Sequence, residues 1–97
     1  MRLTSVRIAL ALAVFIFIAL TGCQQPLPEQ DSYAGQLYVR RCGQCHRPYN
    51  PHSMTAAMWE VEMPKMEQKI SQAGLPALET AQKQTILDYL ERNAGQQ

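Results

Sequence analysis

The stretch Cys42-Gly43-Gln44-Cys45-His46, inside CGQCHRPYN (residues 42–50), sets two thiols two residues apart with an imidazole directly after the second. At a helix end this C-x-x-C-H spacing turns both thiols to one side. There they can form thioethers to the two vinyl groups of a haem while the imidazole meets the iron from one axial face. Other uses of a C-x-x-C pair fit less well. A structural zinc ion takes four ligands, and with Cys23 set apart at the end of the N-terminal apolar run, His52 is the only further nitrogen or sulfur ligand of that class. A thioredoxin-like redox pair expects a βαβ setting, whereas no alternating strand pattern of useful length occurs here. A disulfide across two residues would close too small a loop to hold a small domain together. The motif points to one haem c, bonded to Cys42 and Cys45 and ligated by His46.

On the N-terminal side, DSYAGQLYVRRCGQCH predicts a helix running into the cysteines. Asp31 or Ser32 is placed as its N-cap, and Tyr33, Leu37, Tyr38 and Val39 are spaced for an amphipathic face. On the C-terminal side, TAAMWEVEMPKMEQKI predicts a helix with Thr55 as N-cap and Met58, Trp59, Met63 and Met66 near one side. Pro64 predicts a kink there, or two short helices meeting at Met63, because proline removes an amide donor and clashes one turn back. LETAQKQTILDYLERN predicts a third helix, with Leu78, Ile86, Tyr89 and Leu90 on or near one face and Gly95 just beyond as a stop. The expected fold class is all-α, and no internal repeat is visible.

The chain has 97 residues, room for one small domain. Its start reads as a leader: MRLTSVR carries Arg2 and Arg7 and no acid, residues 8–20 (IALALAVFIFIAL) are apolar throughout, and small residues follow. As a helix, residues 8–20 would span about 20 Å against a hydrocarbon core of about 30 Å, short for a permanent anchor unless a tilted helix reaches into TGC. LTGC (residues 20–23) resembles the bacterial lipobox, in which a signal peptidase cuts before the cysteine and the thiol is acylated. That resemblance implies a lipoprotein signal peptide over 1–22 and lipid on Cys23, hence a bacterial periplasmic protein held on a membrane. Gln24 stands where some bacteria place a retention aspartate, which favours the outer over the inner membrane. Residues 23–31, with two prolines and little to bury, read as a tether, and residues 32–97 as the domain. A domain that short usually depends on a disulfide, metal or cofactor.

Nine Lys and Arg stand against eight Asp and Glu, a balance that gives no reason to expect nucleic acid as a partner. With Cys23 assigned to lipid, Cys42 and Cys45 are the remaining pair in an oxidising compartment.

GQLYVRRCGQCH resembles the first helix of class I c-type cytochromes, and ILDYL resembles their C-terminal helix. The resemblance implies a small cytochrome c-like bundle of three to four helices around one covalently bound haem. It also implies that the two helices cross near Gly35, Tyr38 and Tyr89. Where the family often has a glycine after the haem histidine, this chain has Arg47-Pro48. A prolyl or neighbouring carbonyl is expected to accept the His46 Nδ1 proton and set its tautomer. Arg47 is a candidate partner for a haem propionate, with a solvated charge as the alternative.

The sixth iron position separates two functions. A methionine thioether raises the potential and suits electron transfer, whereas an open site permits gas binding or peroxide chemistry. Met54 and Met58 lie too few residues beyond His46 to pass around a haem edge. His52, nearer still, reads as a loop residue. WEVEMPKM is similar to a pattern in some small haem c domains, where a methionine follows a helix-starting tryptophan by seven positions, as Met66 follows Trp59. Met66 is the expected sixth ligand, with Met63 as the alternative and no methionine ligand also open. Trp59 is expected to pack against the haem.

The expected function is one-electron transfer by a lipid-anchored periplasmic carrier that is not itself an enzyme. Its partners would be other redox proteins that dock transiently at the haem edge. The alternatives are a ligand-binding or peroxidatic haem with an open site, and an electron-accepting subunit of a periplasmic oxidoreductase.

Overall fold

The computed structural model describes residues 1–21 and 25–96. Four α-helices, α1 (Arg2–Thr21), α2 (Tyr33–Cys42), α3 (Ala56–Gln72) and α4 (Thr80–Arg92), are joined by irregular chain that includes one 3₁₀ turn, Pro51–Ser53. Among the described residues there are no strands. The expected all-α fold class is observed.

Local chemistry sets the helix ends. Ser32 is the N-cap of α2, its Oγ accepting from Gly35 N–H at 3.0 Å, and Arg40 and Arg41 fall in the last turn, where the helix dipole favours positive charge. Thr55 caps α3 by accepting from Met58 N–H at 3.3 Å. At the other end of α3 Gly74 adopts φ +70°, a left-handed conformation natural to glycine, while Leu75 N–H donates back to Ile70 O at 3.1 Å. In α4 the Gln82 side chain returns to the Glu79 N–H at 3.2 Å. Glu79 is therefore the N-cap, and Leu78, expected inside the helix, lies before it yet still packs on the core.

Pro64 does not divide α3. The helix runs unbroken from Ala56 to Gln72 because Trp59, Met63 and Ile70 recur on one face and are all buried, anchoring it on both sides of the proline. Each such side chain contributes about 1.5–3 kcal/mol on burial. Pro64 and Glu60 are both exposed, so water can take the Glu60 carbonyl that the missing N–H leaves without its helical donor.

Helix α4 packs against both α2 and α3. The core joins Ala34, Leu37 and Tyr38 of α2, Trp59 and Met63 of α3, and Ile86, Tyr89 and Leu90 of α4. Tyr38 is its centre, edge-on to Trp59 at 6.4 Å and tilted against Tyr89 at 5.5 Å. The three rings each donate one hydrogen bond to irregular chain: Tyr38 Oη to Tyr49 O at 2.7 Å, Trp59 Nε1 to Pro51 O at 2.9 Å, and Tyr89 Oη to Pro28 O at 2.8 Å. A buried hydroxyl or indole N–H needs an acceptor. The core thereby pins the loop after the C-x-x-C-H motif and the chain ahead of α2.

The second contact revises how the N-terminal connection works. Leu27 packs on the core, Pro28 receives the Tyr89 bond, and Glu29 pairs with Arg92 at 2.9 Å and accepts from Asn93. The end of the segment whose composition reads as tether is thus fastened to α4. It also explains Gly35. A Cβ there would strike the Glu29 carbonyl oxygen, so this glycine makes room for the N-terminal strap and not, as expected, for the crossing of α2 and α4. Tyr38 and Tyr89 do meet. Gly95 has a similar role: its N–H donates to Met54 O at 2.9 Å, and a Cβ would strike His52 O.

The Arg92 hydrogen bond, with that of Asn93, holds the Glu29 carboxyl below the usual carboxylate range. A carboxyl depressed in the folded state adds stability above its unfolded pKa and loses it as pH falls through the folded value. Glu29→Gln should therefore melt below the wild type at neutral pH, the gap closing as pH drops below the ordinary carboxylate range. Equal melting of the two proteins at neutral pH would assign the strap's attachment to Leu27 and Pro28 alone.

Helix α1 is exposed along its described side chains. It starts at Arg2, earlier than residue 8, and its 20 residues reach about 30 Å. Residues 2–19 have mean hydropathy 2.0, enough to cross a membrane, and an N-terminal signal sequence shares these properties. The helix extends the apolar run of residues 8–20, read as short for a permanent anchor, and its length and composition suit a signal sequence and a span alike. Cys23 lies outside the described residues.

Candidate haem-binding site

Helix α2 ends at Cys42, and Gly43 N–H closes its last turn on Val39 O at 2.9 Å. Residues 43–46 then bend away, leaving Cys42 half-buried and Cys45 and His46 exposed. Both cysteines carry free thiols. Burial pushes the Cys42 thiol up to about 12, which keeps it protonated. Among the described residues no group of three or more His, Cys, Asp or Glu side chains gathers to hold a metal ion, so the zinc alternative lacks its remaining ligands.

His46 Nδ1 lies 2.8 Å from Arg47 O. A carbonyl can only accept, so Nδ1 carries the proton and Nε2 keeps the lone pair that a metal needs. The acceptor is the carbonyl just before Pro48, in keeping with the tautomer expected from Arg47-Pro48. The imidazole ring stands 5.3 Å from that of Tyr49, whose carbonyl Tyr38 holds.

Cys42, Cys45 and His46 open onto one pocket on the surface of the helical core. Trp59, Met66 and Ile70 of α3 line it, together with Tyr38, Met54 and Leu75. Trp59 does so while fully buried, its indole N–H already taken by Pro51, which leaves it a packing surface. Two thiols, an imidazole with a free Nε2 and thioether sulfur around one largely apolar cavity are the donor set that a covalently bound haem requires, and the residues fit it.

The methionines separate. Met66 is half-buried and lines the pocket, whereas Met63 is 1% exposed and belongs to the α2–α3–α4 core, away from the pocket walls. Met58 is exposed. Met54, set aside because it follows His46 so closely, also lines the pocket. The bonds from Tyr38 and Trp59 fold residues 49–51 back onto the core, and the 3₁₀ turn delivers Met54 beside it. His52 is exposed on that turn and is not among the pocket residues, in line with its reading as a loop residue.

The charges also differ from expectation. Arg47 is exposed and outside the pocket. Arg41, Glu62 and Lys69 line it instead. Helical phase could have shown this for Arg41, which follows Leu37 and Tyr38 by four and three positions and so falls on the buried side.

A family model described as dihaem cytochrome c matches residues 38–97, from the centre of α2 through the motif, pocket and α4. No curated protein and no solved structure matches the chain.

Proposed function

The chain belongs to the dihaem cytochrome c family, and on that premise of a c-type cytochrome working in haem-based electron transfer, we propose that it is a lipid-anchored periplasmic carrier with one haem c. The observation that carries this reading is the convergence of Cys42, Cys45, the free Nε2 of His46 and the Met66 thioether on one apolar pocket. Within these 97 residues only Cys42 and Cys45 form a C-x-x-C-H pair, so the chain offers covalent attachment to one haem. Cys42 and Cys45 would hold it through thioether bonds, each thiol S–H adding across a vinyl double bond with no net oxidation.

When bound, the haem supplies an iron that gains and loses one electron between +3 and +2. The residues of the chain determine how. His46, its Nδ1 proton fixed on Arg47 O, would hold the iron through Nε2. Met66, on helix α3, would hold the iron through its thioether, a ligand that favours the reduced ion. Trp59, Ile70 and Leu75 exclude water from the cavity, while exposed Cys45 and His46 mark the edge where redox partners dock briefly. Cys23 carries the lipid after residues 1–22 are removed, with the outer membrane favoured. Because Leu27 is fastened to the domain, only residues 23–26 join the lipid to it, a reach of at most about 14 Å. The haem edge is thus held near the membrane surface.

Expression with haem-maturation machinery should give a membrane-bound, covalently haem-stained band that titrates as a single one-electron couple. Cys23→Ala should release it into the soluble fraction. An unstained protein would refute haem attachment, two couples would refute the single haem, and a Cys23→Ala variant still cleaved and fully membrane-bound would refute the lipid anchor.

A further inference from the structure

Arg41 sits in the last turn of α2, half-buried on the pocket wall, while Arg40 beside it is exposed. Its Nη2 donates to Pro76 O, but its Nε is buried with no partner at all. The ion pairs among the described residues are Lys65–Glu62, Lys83–Glu67 and Arg92–Glu29, and none involves Arg41. Glu62, the carboxylate that lines the same pocket, is taken by Lys65 at 2.8 Å. A guanidinium stays charged at any physiological pH. Leaving a buried N–H of such a group without an acceptor is costly, because its lost hydration is not replaced. Arg41 lines the pocket, so an acceptor on what fills it can supply the missing partner.

Resting on the haem reading above, we propose that Arg41 is the propionate-binding residue of this site. Its Nε–H donates to a haem propionate while Nη2 stays on Pro76 O. A carboxylate is an acceptor-only group matched to the planar fork of arginine, and the propionates are the carboxylates a haem brings into the cavity. One guanidinium then ties the haem to the loop between α3 and α4, which itself contributes Leu75 to the pocket. Arg41 is a positioning residue. Its fixed positive charge beside the haem favours the reduced, less positive iron and holds the potential up. Lys69, also on the pocket wall but exposed and without an ion pair, adds a weaker, solvated charge.

The test compares haem-loaded wild type with Arg41→Gln, Arg41→Lys and Arg47→Gln, reading midpoint potential and the propionate vibrational bands by resonance Raman. Arg41→Gln should lower the potential and shift the propionate bands with haem still covalently attached. Arg41→Lys should keep the potential closer to wild type because the charge remains, while the bands still shift because the fork is lost. Arg47→Gln should change neither. If Arg41→Gln lowers only the melting temperature, Arg41 is merely a tie to Pro76 and the proposal fails. Should Arg41→Gln not accumulate, unshifted propionate bands in Arg41→Lys would overturn the proposal equally. A wild-type potential that moves with added inorganic phosphate would also overturn it, by showing that the acceptor is a solution anion. Wild-type protein without covalent haem would instead overturn the haem reading itself, before any variant is compared.

Discussion

Met66→Ala should remove the near-infrared band of thioether-ligated ferric iron, open the reduced protein to carbon monoxide, and lower the midpoint potential. The fall should be on the order of 100 mV, a modest part of the roughly 0.8 V over which axial ligands set haem potentials. Met63→Ala should do the reverse. Met63 is buried between α2, α3 and α4, and truncating a core methionine costs about 2–5 kcal/mol. In a domain of this size that lowers Tm by about 4–8 °C for each kcal/mol. The spectrum of Met63→Ala should remain that of the wild type. The two variants thus separate a ligand from a core filler three residues away, one altering the iron and the other the fold. Met54→Ala completes the set, because its sulfur also faces the pocket. The band should survive Met54→Ala; its loss there and persistence in Met66→Ala would transfer the ligand role to Met54. A wild type that lacks the band and binds carbon monoxide readily would replace the electron carrier with an open-site haem.

What the sequence conveyed about this site follows from the range of each interaction. Ser32 and Thr55 are readable as caps because an N-cap bond closes within three residues. The motif is readable because its chemistry lies within five. Pro64 misleads for the opposite reason: its local cost is real, but it is outweighed by burial of Trp59 and Met63, which depends on partners in other helices. Gly35 misleads in the same way. Its small size serves Glu29, in a segment whose prolines and polar residues give no sign that Tyr89, 61 positions away from Pro28, will bond to it. Met54 was set aside by a reach argument that treats the loop as free chain. Two core aromatics fold that loop back, and neither bond is visible in composition. Arg41 and Arg40 are alike as residues and differ only in helical phase, which the amphipathic pattern of α2 does contain.

Replacing both Cys42 and Cys45 by serine should abolish covalent haem and, with it, much of the tertiary structure. The reason lies in how few side chains are fully buried. The core unites eight residues of α2, α3 and α4, and small domains of this kind rarely gain more than about 3–5 kcal/mol from such a core. Beside it lies the pocket whose walls include Trp59, Met66, Ile70 and Leu75. Without an occupant, those side chains must either face water, losing burial at about 25 cal/mol per Å², or collapse inward and pull on Tyr38 and Trp59. Those two rings hold Tyr49 and Pro51 in place, so collapse would also release the loop after the motif. The double variant should therefore keep much of its far-ultraviolet helical signal while losing near-ultraviolet dichroism and cooperative melting, the behaviour of a compact state without fixed packing. Trp59 fluorescence should report the change directly. Haem packed against the indole quenches it, and the variant should be bright and red-shifted as water reaches the ring. A double variant that melts cooperatively near the wild-type temperature would show that Tyr38, Trp59 and Tyr89 hold the fold unaided. The haem would then be cargo seated in a finished pocket, and the short span of buried chain would not be the reason this domain carries a covalent cofactor.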